Sequence, residues 1–117
     1  MKDSSRDTTI APAEAVEVEK LVSVAPAAIV SRVLARSSGG SVTIFAFAAG
    51  QELSEHTAPF DALVHVVSGR LELTIGRKPV PADGGEMVVM PAGVPHALRA
   101  AADTTMILTM LRDRGEG

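Results

Sequence analysis

The chain of 117 residues carries 11 basic and 14 acidic side chains, which leaves a formal net charge of -3 at pH 7. This length suits one domain with a buried core, and the acidic balance with only three aromatic residues excludes a nucleic-acid-binding surface. The absence of cysteine excludes disulfides, thiolate nucleophiles and zinc held by thiolates.

The N-terminal residues 1–9 are polar and contain no apolar stretch of the kind found in secretory signals, and the predicted tail extends to residue 13. No later segment approaches the roughly 18 consecutive apolar residues of a membrane span. We therefore expect a cytoplasmic protein with no membrane contact, whose first residues form a disordered or loosely attached tail.

The next segment, from Glu14 to Val24, alternates valine and glutamate over residues 16–19. Such alternation favours an edge strand over a helix, and this strand could belong to the chain's own sheet or be exchanged with a partner. Ala25-Pro26-Ala27 then interrupts the pattern. We accordingly divide the chain into an N-terminal segment, residues 1–24, and one barrel domain, residues 25–117.

From residue 28 onward, apolar residues recur closest to every second position, which is the period of a β-strand. Turn signals at roughly 8–12-residue intervals indicate about eight to ten short strands, as in a β-sandwich or barrel. Residues 52–55 fall in a predicted loop, and residues 76–85 in turns around a short connection. The predicted strands are Ile29–Arg36, Val42–Ala48, Asp61–Val67, Leu71–Ile75, Glu86–Met90, His96–Ala101 and Thr104–Leu111.

Two histidines are each delivered by a glycine-bracketed hairpin. A Pro-x-Gly corner places the second one at the start of a strand. We therefore expect two strands to converge on one pocket that contains both His56 and His96. The two segments read Gly50-x5-His56-Thr57-Ala58-x3-Ala62-x6-Gly69 and Gly85-x5-Pro91-Ala92-Gly93-x2-His96-x3-Ala100.

These segments resemble the two motifs of the cupin family, G-x5-H-x-H-x3-E-x6-G and G-x5-P-x-G-x2-H-x3-N. The chain is similar to a small single-domain, RmlC-like cupin over roughly residues 28 to 112. The resemblance implies an all-β fold, a double-stranded β-helix or jelly-roll barrel. It also implies a divalent metal held at positions 56, 58, 62 and 96, of which Ala58 and Ala62 are alanine here.

With this reduced set, His56 and His96 are the candidate metal ligands. The sequence therefore predicts no cofactor with certainty. A divalent transition metal (iron, manganese, nickel or zinc) would bind only at low occupancy, because tight sites use three or more protein ligands. Asp61 and His65 lie near the vacated positions, but both are odd in number. In a regular strand they project to the opposite face from His56, and only a β-bulge would turn Asp61 inward.

The strand period also predicts which side chains line the pocket. Replacing a histidine and a glutamate by alanine makes the interior larger and less polar, which suits a small, largely apolar or aromatic ligand. The predicted lining residues are His56, Ala58, Ala62, Val64, His96, Met106 and Leu108, with Val66, Leu98 and Met110 beside them.

Three functions are compatible with this interior. The first is a small-molecule-binding cupin without catalysis, the second a metal-dependent dioxygenase- or isomerase-like enzyme with a reduced ligand set, and the third a structural or regulatory dimer without an active site. We favour the first, because two histidines do not hold iron firmly and the sharp spacing of His96 argues against the third. We also expect a homodimer, with apolar side chains of the N-terminal segment on a partner's sheet. Those side chains are Val16, Val18, Leu21 and Val22.

Overall fold

The computed structural model describes residues 7–112 of the chain. These residues contain ten strands and one short 3₁₀ helix. No helix within these residues is long and apolar enough to cross a membrane. The 3₁₀ helix spans Val18–Lys20. The strands are β1 Asp7–Thr8, β2 Ile29–Ser37, β3 Gly40–Phe47, β4 Glu52–His56, β5 Asp61–Ser68, β6 Arg70–Ile75, β7 Lys78–Asp83, β8 Met87–Met90, β9 His96–Ala100 and β10 Thr104–Leu111.

The strands form two antiparallel sheets. One sheet has six strands in the order β1-β2-β3-β10-β5-β8, and the other has four in the order β4-β9-β6-β7. Both sheets contribute to one buried core, for example Phe47 and Val64 from the first and Leu71 and Leu73 from the second. The prediction of an all-β jelly-roll barrel is confirmed.

Strand β5 illustrates how the sequence pattern builds this core. Ala62, Val64 and Val66 are buried, whereas Leu63 and His65 between them are half-buried on the opposite face. Successive side chains of a strand point to opposite faces, so the even-numbered residues enter the barrel and the odd-numbered ones face outward. This alternation determines which positions of the first motif face the interior.

A second apolar cluster lies on the outer face of the six-stranded sheet, beneath the N-terminal segment. Ile44 and Ala46 belong to it, whereas their neighbour Phe47 belongs to the inner core, as expected for a strand buried on both faces. The segment before the barrel thus packs against the chain's own sheet. The cluster comprises Val22, Leu34, Ile44 and Ala46, with Ile10, Val18, Leu21, Val30, Val42 and Ile107 partly buried against it.

The prediction of an edge strand between Glu14 and Val24 is wrong. Its centre is the 3₁₀ helix, because Val18, Leu21 and Val22 follow helical spacing and turn to one side. The edge strand is instead β1, which comes from the predicted loose tail and pairs with Arg36 and Ala35 of β2. The domain division at residue 25 stays a prediction, and residues 1–6 of the tail lie outside the described residues.

Two strands of the four-stranded sheet escape prediction from the sequence. Strand β4 is assigned to a loop because most of its residues are exposed and it shows no apolar alternation. Strand β7 reads as a connection because it contains Pro79 and Pro81. Proline is tolerated there because β7 is an edge strand, where a missing N–H donor costs no ladder bond on the outer side.

The β2–β3 hairpin approaches the end of β10 very closely. Gly40 is the cross-strand partner of Leu111, and a Cβ atom at Gly40 would overlap the carbonyl oxygen of Met110. Only glycine fits at this position, because it has no Cβ. The hairpin and the last strand are therefore in direct backbone contact.

Candidate functional site

The two motif histidines lie on neighbouring strands of the four-stranded sheet. His56 ends β4, His96 begins β9, and the two are cross-strand partners. The β4–β9 register shifts between Leu53 and His56, so the pairing is irregular just before the first histidine. This register brings the two imidazoles side by side.

Two hydrogen bonds connect the Pro-x-Gly corner before His96 to the segment around β5. Gly93 adopts a left-handed conformation with φ 78° and donates its N–H to the carbonyl of Ala58 at 2.9 Å. Oδ1 of Asp61 accepts the N–H of Ala92 at 2.8 Å. These bonds fasten the Pro-x-Gly corner to β5 and to the connection before it. The entry of His96 into β9 is thereby positioned.

The imidazole rings meet edge to face, with their centroids 4.3 Å apart and their planes at 74°. Nε2 of His96 lies 3.1 Å from Nε2 of His56. Each Nδ1 atom lies beside a backbone carbonyl, that of Ser54 at 3.0 Å for His56 and that of Val94 at 3.2 Å for His96. Because a carbonyl only accepts, each Nδ1 contact favours a hydrogen on Nδ1. The two Nε2 atoms lie at hydrogen-bond distance, which requires one proton or cation between them.

The two histidines differ in their exposure to solvent. His96 is only 4% exposed, whereas His56 is exposed and forms the outer side of the pair. Burial and then the neighbouring His56 lower the pKa of His96, while its contact with the Val94 carbonyl acts in the opposite direction. The buried ring is consequently held in its neutral form near pH 7.

A small cavity of about 50 Å³ lies beside the histidine pair. The histidines are its only polar side chains, and the rest of the wall is aliphatic or thioether. A single water needs roughly 10–15 Å³ of such volume, so the space accepts only a few atoms. We call it the barrel cavity, and its wall consists of Leu53, His56, Ala58, Ala62, Met90, His96, Leu98, Met106, Leu108 and Met110.

The barrel cavity can be compared with the residues predicted to line it. Val64 and Val66 need a correction, because both are fully buried in the core and neither belongs to the cavity wall. They lie one and two inward positions beyond Ala62 along β5, past the point where the cavity closes. The other predicted lining residues, His56, Ala58, Ala62, His96, Leu98, Met106, Leu108 and Met110, all contact the cavity.

Two cavity residues are missed by sequence reasoning. Leu53 lies in the segment assigned to a loop, so its inward direction carries no visible pattern. Met90 ends β8 and becomes part of the wall because it pairs across the sheet with Ala62. A pairing between strands so far apart in the chain leaves no local signal.

The metal ligands of the cupin motif are not reproduced. Ala58 and Ala62 stand in the cavity wall at two of the four ligand positions and carry no donor atom. Asp61 is exposed with its carboxylate bonded to the Ala92 N–H, and His65 lies on the opposite face of β5. Among residues 7–112, no group of three or more His, Cys, Asp or Glu side chains could hold an ion. These residues do not fit the divalent metal centre of the family.

Comparison with solved structures reveals close likeness in fold. A conserved protein of unknown function from Streptococcus pyogenes is 32% identical with a TM-score of 0.86, over 91% of this chain and 93% of that one. A Cupin 2 conserved barrel domain protein from Leptotrichia buccalis is 34% identical with a TM-score of 0.76, over 80% of this chain and 45% of that one. A cupin superfamily protein from Desulfitobacterium hafniense, at 21% identity and a TM-score of 0.83 over 89% and 95% of the two chains, shares the fold.

Comparison with protein families assigns the chain. No curated protein matches it. The family model described as "Cupin domain" matches residues 43–112, which include both histidine segments in full. The match covers more than half of the chain, and the resemblance read from the two motifs is confirmed. The chain belongs to the cupin family.

Proposed function

We propose that this cupin binds a small ligand in the barrel cavity, beside His56 and His96, and does not catalyse a reaction. The observation that carries the proposal is the pair of Nε2 atoms, 3.1 Å apart, at the edge of an otherwise apolar cavity. Such a pair favours a ligand group that accepts electron pairs, either a hydrogen-bond donor or a cation. The surrounding apolar wall favours a ligand whose remaining atoms are apolar.

The size of the barrel cavity limits the ligand. An aromatic ring occupies a cavity of roughly 150 Å³, about three times the space available here. A ring therefore enters only if part of the wall moves. Met90, Met106 and Met110 supply such a wall, because unbranched thioether side chains change conformation easily. Exposed His56 offers the side from which a ligand would enter.

The enzyme alternatives have less support. The chain contains no Cys and no Tyr, and no carboxylate stands in the cavity wall. An isomerase would have only the histidine pair to move a proton, and a dioxygenase would need a firmly held iron. Elemental analysis of protein purified without added metal or chelator tests this choice, because near-stoichiometric iron, manganese, nickel or zinc would favour the enzyme.

Ligand binding is tested by thermal denaturation with a panel of small alcohols, phenols and amines. We expect some of these to raise the melting temperature of the native chain and of the control His65→Gln, whose ring lies outside the barrel. We expect no shift for Ala62→Leu, which fills the cavity. Binding restricted to highly charged sugars, or equal shifts for all three proteins, would contradict the proposal.

We also propose a homodimer. Only some apolar side chains of the N-terminal segment are exposed and therefore available to a partner. Val22 is buried on the chain's own sheet, whereas Val16 and Val24 are 40% and 37% exposed. Removing the whole segment would uncover the outer apolar cluster, so a double substitution, Val16→Asp with Val24→Asp, is the cleaner test. A dimer that persists in light scattering despite this change would remove the segment from the interface.

A further inference from the structure

Two methionines flank the position at which the cupin motif has its glutamate. Ala62 on β5 is the cross-strand partner of Met110 on β10 and also of Met90 on β8. Directly opposed residues share a face and have Cα atoms about 4.5–5.5 Å apart. All three line the barrel cavity together with both histidines. Two thioether side chains thus line the cavity next to the place of the missing carboxylate.

The spacing of the imidazole nitrogens suits two ligands of a single ion. Two nitrogens that each lie about 2.0–2.1 Å from a metal and 3.1 Å from one another subtend roughly 100° at that metal. A linear two-coordinate ion would need nitrogens about 4 Å apart. The Nδ1 contacts with the carbonyls of Ser54 and Val94 hold both rings with Nε2 directed toward the same point, as in metal-ligating histidines, so a cation could replace the proton between them. A bent pair of this kind leaves a place for a third ligand.

The available third ligands are soft. Apart from the histidines, no side chain in the cavity wall carries oxygen or nitrogen, whereas Met90, Met106 and Met110 carry sulfur. Magnesium and manganese prefer oxygen ligands, which the side chains of the cavity wall do not supply. Imidazole and thioether together select copper in its monovalent state.

We propose that His56 and His96, with the thioether of Met90 or Met110, form a binding site for Cu(I). The proposal rests on the proposed function, because it uses the same cavity, and it names one ligand class for it, a soft monovalent metal ion. It differs from the divalent centre implied by the cupin motif in both ligand set and ion. The difference comes from the methionines on either side of Ala62, the residue that stands in place of the carboxylate.

The test is an anaerobic titration of the full chain with Cu(I) in competition with the chromophoric chelator bicinchoninate. We expect one Cu(I) per chain, and binding at least about tenfold weaker for His56→Ala and for the double variant Met90→Leu with Met110→Leu. Leucine conserves the volume of methionine, so the double variant should remain folded, which circular dichroism checks. X-ray absorption should detect sulfur at about 2.3 Å in the native complex and none in the double variant.

Matched controls separate this site from incidental binding. Met87→Leu alters a methionine that is 58% exposed on the same edge strand as Met90, and His65→Gln alters the outward-facing histidine. Both should bind Cu(I) like the native chain. Absence of Cu(I) binding, or equal binding by the native chain and the double variant, would overturn the metal proposal. If organic fragments still stabilise the native chain in that case, the proposed function stands; if they do not, both fall.

Discussion

The barrel cavity has two walls of opposite character. The four-stranded sheet contributes both imidazoles, with Leu53 and Leu98 beside them, and we call this side the histidine wall. The six-stranded sheet contributes the methionine wall, which has no polar side chain. It consists of Ala62, Met90, Met106, Leu108 and Met110.

The difference between the walls indicates how this cupin departs from its family motif. The histidine wall keeps the second-motif histidine and the first histidine of the first motif. The methionine wall has lost the glutamate position to Ala62. Polar recognition is therefore confined to one side of the cavity. The opposite side determines the size of the cavity and supplies only aliphatic and thioether side chains. The following predictions change residues of one wall, positions beside it, or the loop that positions His96.

Truncating the methionine wall should have the largest effect on stability. Met106 is fully buried, so Met106→Ala should lower the free energy of unfolding by about 2–5 kcal/mol, measured by urea denaturation. The enlarged cavity should also bind benzene, which would recover part of the melting temperature. Met87→Ala, at an exposed site, should change stability by no more than about 0.5 kcal/mol. Equal losses in the two variants would mean that the wall does not pack as described.

Restoring the two missing ligands should convert the site to a divalent metal centre. Ala58→His with Ala62→Glu adds a nitrogen and a carboxylate at positions that line the cavity. We expect the affinity for Zn²⁺ to rise roughly 100-fold, or about 2.7 kcal/mol, in isothermal titration calorimetry. Ala58→His with Ala62→Gln, which lacks the charge, serves as the control. An unchanged Zn²⁺ affinity would mean that these positions do not converge with the histidine wall.

Loosening the loop before His96 should have a smaller effect. Asp61→Ala removes the acceptor for the Ala92 N–H and should lower the free energy of unfolding by about 1 kcal/mol. Asp61→Asn keeps an oxygen acceptor and should recover most of this loss. Both variants should be compared by urea denaturation and by ligand-induced thermal shift. A full effect in Asp61→Asn would indicate that charge, and not the hydrogen bond, is what matters.

The smallest expected effect is the change in stability with pH that comes from His96. Because burial lowers the pKa of His96 below its ordinary value of 6.5, the unfolded chain takes up its proton first as pH falls. The stability that neutral His96 contributes is therefore complete above about pH 6.5 and is lost as pH falls toward the pKa of the folded state. Between pH 7.5 and 5.5, we expect the native chain and His65→Gln to lose more stability than His96→Gln. Parallel losses in all three would contradict this assignment.

The sequence predicts the barrel and the histidine positions far better than the surroundings of the histidines. Glycine spacing and the Pro-x-Gly corner are local, so they place His96 at the start of β9 without any tertiary information. Strand β4 and the role of Met90 depend on partners distant in the chain. The 3₁₀ helix near Leu21 is hidden because two alternating valines imitate a strand, and Asp61 gives no sign of the loop it will hold.

The contact between Gly40 and the backbone of Met110 links the protein surface to its interior. Residue 110 presents its side chain to the cavity while its carbonyl touches the β2–β3 hairpin. We therefore expect a guest that displaces Met110 to disturb the backbone of the neighbouring hairpin as well. Hydrogen exchange of the hairpin amides, with and without the guest, would measure this effect.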